Sequence, residues 1–342
     1  MHIQARRIFR LTIVPALALT VAYALHIPLP YIAPLFAFIL TSIPGPPLNA
    51  KKLIVLLLVV LLTLGLGVLL IPFLLNFQVS AVLLVMVGLY LSSYLTVNLK
   101  KNLPGLFMAM GLTMISAAGT ISYDLATAII QSLMLGIIIA VLCQSLVYPF
   151  FPENEIAPKK EAKERNAKNT VPSNWIAIRS TLIVLPAYFV VLSNPGMYMP
   201  IMLKSVLLSQ QSSTLGTKNA AKELIGSTFS GGVFAVLLWM FLGIWPNLWM
   251  FFLWMLLFNL YFACKIYRLI SSRLSASFWL NTVITMLILI GPAVEDSNTG
   301  KDVYTASLIR LSLFIAISLY ALAAVYLLEY VRSHKKKKSY AT

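Results

Sequence analysis

Residues 51–75 read KKLIVLLLVVLLTLGLGVLLIPFLL, two lysines followed by a run with no charged residue. A helix rises about 1.5 Å per residue, so a run of this length covers the roughly 30 Å of a bilayer's hydrocarbon core. Backbone amides in lipid have no water to bond, so the run must satisfy them internally as a helix. Lipid is therefore the solvent of this stretch.

The same phrase recurs on both sides of it. Spans are predicted near 8–26, 29–44, 79–99, 103–121 and 125–148, and then near 174–193, 197–210, 222–244, 246–264, 277–293 and 304–331. With 53–75 that makes an all-α integral membrane protein of about 12 transmembrane helices. Short strands of alternating polarity, the mark of a membrane barrel, are missing. Composition agrees: 60% of the 342 residues are hydrophobic and 11% charged, against about a quarter charged in soluble domains. The net charge of +16 lies in short gaps between apolar runs. Nucleic acid is thus not an expected partner, since a nucleic-acid binder needs a basic face on a soluble domain. Cys143 and Cys264 lack metal-ligand or redox spacing and read as packing residues. The run after Arg6, Arg7 and Arg10 has no convincing cleavage site and reads as a retained first span.

Orientation follows from the gaps, because cytoplasmic loops keep Lys and Arg. One side collects Arg6 and Arg7, Lys51 and Lys52, Lys100 and Lys101, the group Lys159 to Lys168, Lys218 and Lys222, Lys265 to Arg273, and Lys335 to Lys338. The other has Asp124, Glu295, Asp296 and Asp302 against Lys301. Both termini are expected in the cytoplasm. The short second and eighth segments either cross or re-enter, since a hairpin would keep the same parity.

Residues 149–173 are a charged cytoplasmic linker between a first six-helix repeat, 1–148, and a second, 174–334; 335–342 is a basic cytoplasmic tail. Each half opens with an Arg in its first helix, Arg10 and Arg179, and reaches a short Pro-bearing segment, YIAPLFAFI from Tyr31 and MYMPIMLKS from Met197. A polar turn with Lys follows, then a helix with paired glycines, Gly65 and Gly67 or Gly231 and Gly232. The fifth helices share Thr113-Met114 and Thr285-Met286. An even number of spans per half makes the repeats parallel.

Repeats of this kind place transport pathways at broken or Pro-interrupted segments. The eighth segment carries Lys204, about 10 Å from its outer boundary at helical rise, and Arg310 lies similarly deep in the last helix. Such charges cost on the order of 2.5–3.5 kcal/mol on insertion scales, so they face a cavity, a partner or a pathway, or they snorkel to the interface. Two deep cations suit an anionic substrate. Thr41 and Ser42 in one half, and Gln210 and Ser213 in the other, read either as orienting donors to a carboxylate or as helix caps. Gln131 and Asn281 read as interhelical hydrogen-bonders. No phosphate loop, H-E-x-x-H, G-x-S-x-G or Cys/His cluster is present, so neither an enzyme nor a cofactor is expected.

The repeated layout, with KELIGSTFSGG at Lys222 to Gly232, resembles the fusaric acid resistance and aromatic acid exporter (FUSC-like) superfamily. Within it the likeness is to short bacterial members carrying a domain of unknown function, DUF2955-like. The resemblance implies a multi-pass protein of the bacterial inner membrane that exports aromatic or other organic anions with a periplasmic adaptor of the membrane-fusion type. A homo-oligomer is a further partner to expect. Plant malate channels look like distant cousins, which would imply a passive anion channel; a non-transporting envelope component is the third reading.

Overall fold

The computed structural model describes residues 3–153, 173–212, 222–298, 300 and 302–339. Helices dominate, and they lie where the apolar runs predict. In the first half these are α1 (Ile3–Ala24), α2 (Ile32–Ser42), α3 (Ala50–Asn76), α4 (Gln78–Val97), α5 (Asn102–Gly119) and α6 (Tyr123–Val147). The second half holds α7 (Ser173–Ser193), α8 (Pro195–Ser212), α9 (Glu223–Ile244), α10 (Leu248–Ile266), α11 (Ala276–Asn298) and α12 (Val303–Ser339).

Among the described residues, 10 helices are long and apolar enough to cross a membrane. Two of the twelve are not among them: α8, whose 18 residues include Lys204 and end in a polar turn, and α2, whose 11 residues rise about 16 Å, half of a hydrocarbon core. A proline-rich stretch, Ile43 to Pro47, ends it, and proline cannot continue the helical ladder. Two helices are locally widened into a π turn, at Gly111–Ile115 inside α5 and at Lys222–Gly226 where α9 opens. Such turns insert a residue and turn the following side chains to a new face.

The chain forms two compact units, and each draws on both halves of the sequence. The first comprises the described residues of Met1–Val59, Ala128–Val171 and Ser230–Val303. In it α1 packs against α2 and α10, α10 against α11, and α11 against α2. Aromatic rings join α9 to α10, with Phe234 and Phe262 centred 4.8 Å apart and Phe241 stacked on Trp254 at 4.6 Å. The second comprises the described residues of Val60–Thr127, Pro172–Phe229 and Tyr304–Thr342. Here α7 packs against α8 and α4, α4 against α5, and α5 against α8.

Each unit has one helix at its centre. α11 in the first and α5 in the second are the most enclosed of the ten spans, 83% and 78% buried along their apolar windows, whereas α3 is 28% buried. The exposed side of α3 carries Leu58, Leu62 and Leu69. Leucines outside and small or hydroxyl residues inside are the pattern of a chain dissolved in lipid, where close packing replaces the hydrophobic effect as the force between helices. Glycine permits that packing at two sites. A Cβ on Gly67 would strike the Gly111 carbonyl of α5, and one on Gly231 would strike Thr285 of α11. Gly65 faces open space, so only one of its pair is a packing residue.

Candidate functional site

Polar groups buried in helices that face lipid locate a site more sharply than a groove does, because each has to be satisfied without water. In the second unit they gather on α5, α7 and α8. Lys204 on α8 is 0% exposed, and Ser205 beside it is equally enclosed with a hydroxyl that has no hydrogen-bond partner. The same helix packs on α7 and on the π turn of α5.

That turn holds Thr113 and delivers Ser116, whose Oγ lies 3.1 Å from the Tyr188 hydroxyl of α7. Thr113, Ser116 and Tyr188 are each fully buried. Thr113 donates to the Ala109 carbonyl at 2.6 Å, which occupies an acceptor of the preceding turn. Nearby, Ser180 of α7 donates to the Ser209 carbonyl of α8 at 3.3 Å, and these two with Ser92, Ser93 and Thr96 of α4 line a cavity of about 10 Å³, room for one water.

Arg310 belongs to the same unit, buried on α12. α12 is tied to α9 by Thr228 and Ser318, 3.2 Å apart, and to α7 by the Tyr320 hydroxyl, which donates to the Leu182 carbonyl at 3.0 Å. Gln210 lies in α8, with its side chain outside the description, and Ser213 lies outside the described residues. Thr41 and Ser42 fall in the first unit. Thr41 is buried with no partner for its hydroxyl, while Ser42 donates to the Ile39 carbonyl at 2.7 Å and closes the last turn of α2. Gln131 is exposed on α6, and Asn281 is buried on α11.

Three features escape a reading of the sequence. Asn259 on α10 is fully buried, and neither its amide nitrogen nor its oxygen is hydrogen-bonded; a lone Asn in an apolar run was the available signal. Tyr188 stands in an apolar run like any packing aromatic, and its tie to Ser116 spans 72 residues. Glu153, which looks like the first acid of a linker, is buried against Arg7 and Arg10.

The first unit has a larger opening, about 590 Å³, at the end of α1 where Tyr23 and His26 lie. Trp239, Asn247, Phe251 and Ser297 also line it. His26 takes a left-handed backbone, φ 52°, and closes α1 there.

Residues 7–147, from the first turns of α1 to the last residue of α6, match the model of a family described as a protein of unknown function (DUF2955). No curated protein and no solved structure matches the chain. The likeness joins a multi-pass helical architecture to a family that carries no assigned activity.

Proposed function

We propose that the chain is an inner-membrane transporter that exports small organic anions, aromatic carboxylates foremost, through a pathway lined by Lys204 and Arg310. The observation that carries this is Lys204, fully buried beside Ser205 on a helix that packs against α7 and α5, whose buried hydroxyls include Tyr188, Thr113 and Ser116. A charged side chain inside a bundle of membrane helices is costly to place and marks a functional site, and an ammonium suits a carboxylate rather than a second cation.

The duplicated design behind this reading is supported by the packing. Advancing every helix by six converts the contacts of one unit into those of the other. α1 with α2 becomes α7 with α8, α1 with α10 becomes α7 with α4, α10 with α11 becomes α4 with α5, and α2 with α11 becomes α8 with α5. The fourth and fifth helices of each half thus pack with the first and second of the other, and most of each third helix falls in the same unit as they do. The family match ends at Val147, where a six-helix half would end. Parallel repeats with both termini cytoplasmic agree with this and with the basic gaps.

Export of benzoate from loaded proteoliposomes tests the reading. Lys204→Gln and Arg310→Gln are expected to lose export at unchanged protein content, and retained export would overturn the assignment. Electrical recording of the same vesicles separates a transporter from an anion channel, since a channel passes currents far above transporter turnover. An adaptor and a homo-oligomer belong to the same proposal through the resemblance of the layout.

A further inference from the structure

Arg7 and Arg10 enter the sequence reading as an orientation signal and a repeat marker. In the first unit they make a site. Glu153 lies a few residues beyond α6, and its carboxylate is held between two guanidiniums. Arg7 Nε donates to Oε1 at 2.6 Å, a second Arg7 nitrogen pairs with the same oxygen, and Arg10 pairs with Oε2. The side chains of Arg10 and Glu153 are 4% and 6% exposed. Around them, the Arg10 guanidinium lies over the Tyr148 ring, 5.5 Å from its centre, and donates to the Gly45 carbonyl at 3.4 Å. Arg6 donates to the Pro152 carbonyl at 3.3 Å, and Phe9 stacks on Phe151 at 5.4 Å.

Two observations mark this as more than a staple. The first is charge: two guanidiniums face one carboxylate, so the cluster keeps an excess positive charge, and while Arg10 and Glu153 are enclosed, Arg7 is 25% exposed and opens the cluster to an incoming anion. The second is geometry. Arg10 Nε is buried and donates to nothing, so Glu153, reaching in from its own backbone, leaves unused a donor that a freely oriented carboxylate can take up. Tyr267, just beyond α10, lies within the electrostatic reach of the cluster. Burial pushes its hydroxyl up, and Arg7, Arg10 and Glu153 all act on it electrostatically.

We propose that the Arg7–Arg10 pair is a binding site for the carboxylate of a small organic acid, and that Glu153 occupies it as a tethered competitor. A tethered group acts at an effective concentration of about millimolar, so a free acid at comparable concentration displaces it. Displacement frees Pro152 and Glu153 from α1. The inference asks only for binding in the first unit and does not rest on the export reading.

The test titrates benzoate, with neutral benzamide as control, into the full-length protein in nanodiscs, in a Lys204→Gln, Arg310→Gln background. In that background, failure here and failure of the export reading are separate results. Glu153→Ala is expected to bind benzoate at least about 10-fold more tightly than its parent, since it removes the competitor. Adding Arg10→Gln is expected to erase the gain, and benzamide to bind neither. Equal benzoate affinity with and without Glu153, or a gain that survives Arg10→Gln, overturns the proposal. If Glu153→Ala does not fold, Glu153→Gln serves the same comparison. If neither folds, recovery by added acetate supports the site and absence of recovery overturns it.

Discussion

The proline of the second helix in each half is followed, four residues on, by a fully buried side chain: Phe38 after Pro34 in the first unit, Lys204 after Pro200 in the second. The contrast repeats on neighbouring helices. Counted from Arg10 and Arg179, each followed by a buried threonine at the second position, Leu19 matches Tyr188. Counted from the two Thr-Met pairs, Ile288 matches Ser116, and a glycine falls three residues later in both, Gly291 and Gly119. The two units therefore share helix packing while their cores differ: Phe38, Leu19 and Ile288 are apolar where Lys204, Tyr188 and Ser116 are polar. An apolar core costs nothing to keep in lipid, whereas a buried ammonium does. At these three matched positions it is the second unit that carries the cost, and the proposed export chemistry is assigned there.

The sharpest way to break this contrast is to remove the charge on one side and change the matching residue on the other. Lys204→Gln should weaken export of benzoate about 10- to 100-fold, the loss of a charge-assisted hydrogen bond. Phe38→Leu should leave transport near the wild-type rate, measured in proteoliposomes at matched protein content. Equal losses would mean that the units do not differ in the way their cores suggest.

Carrying the charge across is the next largest effect. Phe38→Lys puts an ammonium among apolar neighbours and should destabilise the protein by about 3 kcal/mol, seen as a lower thermal transition in detergent and reduced membrane yield. A neutral outcome would show that the first unit already holds a polar setting there.

Shared packing predicts shared behaviour at the glycines. Gly67→Ala and Gly231→Ala should each cost about 1–3 kcal/mol, because each Cβ meets an atom of the enclosed helix. Gly65→Ala should be close to neutral in the same thermal assay, since nothing lies within reach of its Cβ. A harmless Gly231→Ala beside a damaging Gly67→Ala would separate the two units in packing as well as in chemistry.

The smallest effect concerns the hydroxyl pair. Tyr188→Phe and Ser116→Ala should each cost about 1 kcal/mol, and the double variant should cost less than the sum because they lose one shared bond. Additive losses in the thermal transitions would show that the two hydroxyls do not act as a pair.

Much of the fold was legible. Runs such as 53–75 and 222–244 announce their helices because lipid demands both length and apolarity, and both appear in the structure as α3 and α9 within a few residues of the expected ends. Segment 29–44 was legible as an irregular place, and its helix is confined to Ile32–Ser42 by the prolines around it. The candidate site was half legible. Lys204 stands out because a charge in an apolar run is rare, but Tyr188 and Ser116 look like any aromatic and any small residue until the end of α5 after the π turn meets α7.

By itself the sequence determined the apolar helices and the lipid setting they call for, since these depend on properties summed along a contiguous segment. Tertiary structure alone decided which halves supply each unit, that α5 and α11 are the enclosed helices, and that Glu153 lies between Arg7 and Arg10. The physical reason is the same for all three. In lipid nearly every face of a helix is apolar, so periodicity says little about which face meets protein, and partners are chosen by the fit of glycines, hydroxyls and charges far apart in the chain.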